Sequence, residues 1–294
     1  MNPGIGYACL AFVMWGLFPL YFQRIASVPA LEVVLHRSAW SLLFVLGLLA
    51  WLRRWGWLRA FAAQPRRLAF FAFSALLLSG NWLVYVYAVQ SGRVVEASLG
   101  YFINPLVNVL LGVLVLHERL RAAQWAAVAL AACGVLWLGW LAGHPPWIAL
   151  TLAFSFGLYG LLRKTAPLGA LEGLALETML LAPLVLPALA WSTLSGQGAM
   201  ARGDAALDAW LVVGGPLTAL PLLLFAAGAR RLPLATVGLL QYLSPSIQLA
   251  LGIWVFGEPF SRSRLAGFAC IWAALALYSL DGWRRSRAAA VAPA

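Results

Sequence analysis

The chain has 294 residues and a net charge of +11, with 63% hydrophobic and only 10% charged residues. A soluble domain carries about 25% charged residues, so this composition leaves too little polar surface to cover a water-soluble fold. It also excludes a basic nucleic-acid-binding domain, because the arginines lie in short stretches between apolar runs, where they orient a protein in a bilayer.

In chain order, ten apolar segments approach the roughly 20 helical residues that a hydrocarbon core requires. They run approximately 4–22, 31–52, 68–90, 95–116, 123–142, 146–162, 170–191, 209–229, 235–256 and 264–282. The opening MNPGIGYACL has no positive flank and reads as a retained first helix rather than a cleaved leader. Fourteen Lys and Arg residues fall in the loops of one side and five in those of the other, with Arg37 left inside a span. That asymmetry predicts both termini in the cytoplasm. Cys9, Cys133 and Cys270 lie in apolar runs without a CxxC pair, so no disulfide, metal site or cofactor is expected.

Sliding the sequence by 140 residues against itself brings Ala30-Leu31-Glu32 onto Ala170-Leu171-Glu172, Pro105 onto Pro245, Gly112 onto Gly252 and Glu118 onto Glu258. The expected architecture is therefore an all-α integral membrane protein of ten transmembrane helices in two five-helix repeats. Five is odd, so the second repeat enters the membrane inverted, an arrangement recurrent in secondary transporters with a midplane substrate site.

Helices four and nine repeat one polar interruption. Tyr101, Asn104 and Asn108 share a face beside Pro105, and Gln241, Ser244 and Gln248 share one beside Pro245. Such groups have no water to bond within lipid, so they should turn into the bundle. They either glue helices together or line a cavity, and the paired faces with a proline on each favour the cavity. Pro19, Pro105 and Pro245 are the expected hinges, with Gly16, Gly157 and Gly160 allowing close packing.

The runs EASLGYFINPLVN (Glu96 to Asn108), HRSAWS (His36 to Ser41), GNW (Gly80 to Trp82), AFSFGLYGLLRK (Ala153 to Lys164), LETM (Leu176 to Met179) and QYLSP (Gln241 to Pro245) closely resemble those of RarD proteins, in the EamA-type branch of the drug/metabolite transporter superfamily. The resemblance spans nearly the whole chain. It implies a bacterial inner-membrane carrier with ten helices in two inverted repeats, at 1–142 and 143–283, followed by a short basic cytoplasmic tail at 284–294. The group's name is associated with chloramphenicol sensitivity. One departure is His117 before Glu118, where similar proteins often have Gly-Glu and where the second half has Gly257-Glu258.

Ionisable groups within spans are costly and therefore informative. Arg37 lies about two turns into helix two, beside His36, and its repeat partner is Glu177. Arg37 either attracts an anionic group of the substrate, closes an outer gate, or forms a structural pair with Glu32 or Glu96. Glu177 is expected at the inner gate or in proton coupling, Glu96 in gating, and His36 as a proton carrier or an interface hydrogen-bonder. Trp15, Trp82, Tyr85, Tyr101 and Tyr242, with Asn81 one turn from Tyr85, either wall the cavity or simply pack. Such a lining suits small amphipathic metabolites or drugs, amino-acid-like or aromatic compounds and chloramphenicol-related ones included. Small multidrug carriers of the superfamily use a glutamate in helix one, whereas here the first acidic residue is Glu32. Glu118 and Glu258 read as helix-start signals.

An enzyme is not expected: His117-Glu118 begins like HExxH, but Arg121 stands in place of the second histidine, and no GxSxG is present. A polar-lined channel or facilitator without alternating access is the alternative function. The expected partners are a small-molecule substrate and the lipid bilayer, with no nucleic acid; a monomer suffices for transport, and a homodimer is also allowed.

Overall fold

The computed structural model describes residues 2–62, 64–91, 94–142, 147–255, 257 and 262–291. Glu258 and Pro259 lie outside the described residues, as does the side chain of Glu96. All regular structure among them is helical: α1 (Pro3–Gly16), α2 (Phe18–Arg24), α3 (Ala30–Trp51), α4 (Gly56–Ala62), α5 (Pro65–Gln90), α6 (Val94–Leu114), α7 (Ala122–Ala142), α8 (Trp147–Thr165), α9 (Ala170–Leu194), α10 (Ala205–Ala229), α11 (Leu234–Gln241), α12 (Leu243–Trp254) and α13 (Arg262–Val291).

Among the described residues seven segments are long and apolar enough to cross a membrane, two of them formed by the consecutive pairs α1–α2 and α11–α12. Leu99–Leu114 and Leu265–Asp281 are shorter apolar stretches. Of the expected spans, α8 falls short because Arg163 and Lys164 occupy its last turn. The short helix α4, between α3 and α5, was not expected.

Local chemistry accounts for the helix ends. Asn2 accepts from the Gly4 N–H at 2.9 Å with Pro3 behind it, starting α1. Asp204 accepts from the Ala206 and Leu207 N–H groups at 3.0 and 3.1 Å, starting α10. The first span breaks at Leu17, two residues before Pro19, which has no N–H to offer the Trp15 carbonyl one turn back. The ninth expected segment breaks at Tyr242, ahead of Pro245, whereas α6 continues through Pro105.

Packing pairs recur. Helix α1 lies on α10 as α8 lies on α5; α3 lies on α10 as α9 lies on α5; α1 meets α12 as α8 meets α6. Three further pairs, α6 with α11, α3 with α9 and α7 with α13, complete the frame. Glycines set the close crossings. A Cβ on Gly16 would meet Ile247 at 2.8 Å, and one on Gly157 would meet Val107 at 2.7 Å. Gly134 stands against the Gly267 carbonyl in the α7–α13 pair, and Gly238 against the Pro105 carbonyl. Phe12, Tyr159 and Phe225 centre the largest apolar cluster, all fully buried.

Candidate functional site

A cavity of about 180 Å³ opens where α1–α2, α3, α5 and α6 meet α8, α10 and α11–α12. A single buried water needs only roughly 10–15 Å³ and a cavity of about 150 Å³ holds one benzene ring, so the space admits a small organic group. Arg37 is near the start of α3, Tyr85 near the end of α5 and Tyr101 near the start of α6. The cavity thus lies in the half of the bundle that carries those helix ends.

Arg37 is its one cation among the described residues. Its Nε donates to Thr218 Oγ1 at 2.7 Å, and that hydroxyl in turn donates to the Gly214 carbonyl at 2.7 Å. The guanidinium carbon stands 5.3 Å from the Phe18 ring centre and 5.5 Å from those of Phe22 and Trp82. Aromatic faces attract a guanidinium through their negative quadrupole, which offsets part of its lost hydration. Among the described residues no carboxylate lies within ion-pair distance of Arg37, and Glu32 is engaged elsewhere.

Polar wall groups come from both halves of the chain. Asn81 donates to the Leu152 carbonyl and to Ser155 Oγ, both at 2.9 Å, tying α5 to α8. Ser244 donates to the Phe12 carbonyl at 2.5 Å, and Gln248 to the Trp15 carbonyl at 3.1 Å. The second bond supplies the partner that Pro19 denies Trp15. Gln241 reaches the wall too, its Oε1 accepting from Asn108 at 2.9 Å. Trp15, Pro19, Asn81, Trp82, Tyr85, Tyr101 and Pro245 also border the space.

Other expected site residues stand apart. Asn104 and Asn108 are buried at the α6–α11 crossing, where Asn108 also donates to Asn104 Oδ1 at 3.3 Å, and neither borders the cavity. Tyr242 is buried against α7 and α13, with its hydroxyl donating to the Phe102 carbonyl at 3.2 Å. Pro105 faces Gly238. His36 is buried 3.6 Å from Glu32, whose carboxylate accepts from the Ala199 N–H at 2.5 Å. Glu177 is held by Ser74 at 2.6 Å, Tyr159 at 3.4 Å and Arg163 at 3.6 Å, all buried. It borders a separate space of about 20 Å³ that shares Trp82 and Thr218 with the main cavity.

Phe18, Phe22, Phe156 and Thr218 line the cavity without having been anticipated. The three Phe residues look like any core residue. Thr218 had a signal, since it follows Gly214-Gly215-Pro216, a run of small and helix-perturbing residues within an apolar span.

The far end of the bundle is cross-linked by charged side chains. Glu118 does not start α7, which begins at Ala122; it reaches across to α11, accepting from the Leu234 and Ala235 N–H groups at 2.6 and 3.1 Å. Lys164 stands 3.8 Å from that carboxylate and donates to the Ala229 and Leu232 carbonyls. Arg230 donates to the Ala166 and Leu168 carbonyls at 2.6 and 2.7 Å. His117, just before Glu118, has φ +53°, and Gly257 in the second half has φ +67°. The histidine therefore adopts the left-handed turn that glycine makes in the other copy.

Residues 2–140 and 146–280 each match the model of the EamA-like transporter family. The chain is 49% identical over 287 residues to an uncharacterized transporter of Pseudomonas aeruginosa, covering 98% of this chain and 96% of that one. It is 47% identical over 290 residues to the protein RarD of Streptomyces exfoliatus, covering 97% and 91%. A solved crystal structure aligns with a TM-score of 0.70 over 95% of this chain and 98% of its own, at 16% identity, which is a likeness of fold. An all-helical frame, apolar spans and two matches along one chain place this protein in the EamA-like transporter family, among the RarD-type membrane transporters.

Proposed function

We propose that the protein is a secondary carrier that moves small amphipathic metabolites or drugs, amino-acid-like or aromatic, across the bacterial inner membrane by alternating access. Ten spans in two inverted repeats, 1–142 and 143–283, would bring both termini to the cytoplasm, in keeping with the distribution of the arginines. The recurrent packing pairs support this symmetry, as does the Gly16–Ile247 contact, which the Gly157–Val107 contact echoes about 140 residues away.

The observation that carries the reading is the single-sided cavity. It is walled by both halves, and the Glu118–Lys164–α11 cluster closes the opposite end. A bundle sealed at one end needs to rock before a solute passes, which is what a carrier does and a pore does not. Under this orientation the cavity faces outward.

Reconstitution tests it. A solute selected by thermal stabilisation from amino acids, aromatic acids and amphipathic drugs is loaded unlabelled into proteoliposomes. Saturable counterflow of external label is expected. Dissipation of the gradient without exchange would instead show a channel.

A further inference from the structure

We infer that the cavity selects organic monoanions, a carboxylate on a flat apolar body, over cations and neutral isosteres. The inference rests on the carrier reading and narrows its substrate class. Thr218 holds the guanidinium of Arg37 by Nε alone, and because the threonine hydroxyl donates onward to Gly214, it is fixed as an acceptor. The two terminal nitrogens have no hydrogen-bond partner among the described residues. They present the side-by-side donors that a carboxylate accepts in a fork.

Charge balance points the same way. Among the described residues lining the cavity Arg37 is the one charged group, so an anion balances its charge and an ammonium adds to it. The rings of Phe18, Phe22 and Trp82 already face the guanidinium and are not free for a ligand cation. Tyr85 and Tyr101, 6.2 Å apart, remain for an apolar ring. The recess at the sealed end, about 430 Å³, is lined by Arg119, Lys164, Arg230 and Arg231 against Glu118. Such an excess raises the local concentration of anions. Membrane orientation accounts for basic residues there, but no orientation rule places a cation inside a span, as Arg37 is.

The test uses the purified full chain and three probes of matched size: 3-phenylpropionate, 3-phenylpropanamide and 2-phenylethylamine. The expected result is thermal stabilisation by the carboxylate, with about tenfold or more weaker effects from the amide and amine. Arg37→Gln should lose the carboxylate effect while melting as a folded protein, and Arg37→Lys should retain part of it. If Arg37→Gln does not fold, the ranking of probes on the unmodified chain decides alone. Equal stabilisation by the amine or amide, or carboxylate binding that survives Arg37→Gln, overturns the inference. Failure of all three probes overturns it as well, while counterflow of any other solute would leave the carrier reading standing.

Discussion

The Gln248 amide donates to the Trp15 carbonyl at 3.1 Å, joining a backbone N–H at the end of α1 and standing in for the donor that Pro19 lacks. A break in one half of the chain is thereby completed by a side chain of the other. The two residues should be thermodynamically coupled through Pro19. Gln248→Leu is expected to destabilise by about 0.6 kcal/mol, a typical interhelical bond in membranes. In a Pro19→Ala background, where residue 19 supplies a further N–H to Trp15, part of that loss should vanish. A double-mutant cycle by denaturant unfolding measures it.

Glu118 acts on a helix it does not belong to. Glu118→Ala removes the acceptor for two N–H groups of α11 and leaves Lys164 without its carboxylate, at a cost of about 1–2 kcal/mol. Glu118→Gln keeps an oxygen for the cap and should lose less. Thermal midpoints of the purified variants give the order.

Glu177 and Arg163 form a buried pair at 3.6 Å, each 1% exposed. Removing one partner strands the other charge, so Glu177→Gln and Arg163→Met should each cost about 3–5 kcal/mol, with the double variant costing less than the two added together. Yield and thermal midpoint of the three variants check this.

Two adjacent glycines of α10 should differ. A methyl on Gly214 meets the hydroxyl of the buried Tyr21 and, at 3.3 Å, the Arg37 stem, so Gly214→Ala should perturb ligand binding as well as folding. A methyl on Gly215 meets Trp40, with its Cβ at 2.5 Å and its backbone oxygen at 2.7 Å, forcing α10 away from α3. Gly215→Ala is therefore expected to lose about 1–3 kcal/mol. Comparing apparent stability with and without ligand separates the two effects.

His117 has φ +53° where the second half has a glycine. His117→Gly should raise stability by about 0.5–1 kcal/mol, the released left-handed strain exceeding the added freedom of the unfolded chain. A rise in the thermal midpoint with no change in the substrate concentration at half-maximal flux is the expected observation.

Much of the cavity wall could be read from the sequence because polar residues in apolar spans are conspicuous. Gln241, Ser244, Gln248, Asn81 and Arg37 stood out, and all reach the cavity wall. Helical spacing correctly groups Asn108 with Tyr101 on one face of α6. It cannot tell that α11 crosses that face at Gly238 and covers the amide, since this depends on a residue 130 positions away in the chain. The same limit hid the role of Glu118, whose partners are at 234 and 235. Phe18, Phe22 and Phe156 gave no sign because lipid-facing, core and cavity phenylalanines are chemically identical in the sequence. The break at Leu17 was foreshadowed by Pro19, but the equal claim of Pro105 did not produce one in α6.

Helices α7 and α13 meet each other through Gly134 and Gly267, and none of their described side chains borders the cavity. Their outer surface is therefore where a reporter can be attached without touching the ligand space. Cys133 lies on that surface midway along the α7 span, where it would face lipid, so once Cys9 and Cys270 are replaced by alanine its thiol offers a native point for a membrane-permeant fluorophore. Distances from that fixed post to a second dye on α3 would follow the helices during turnover.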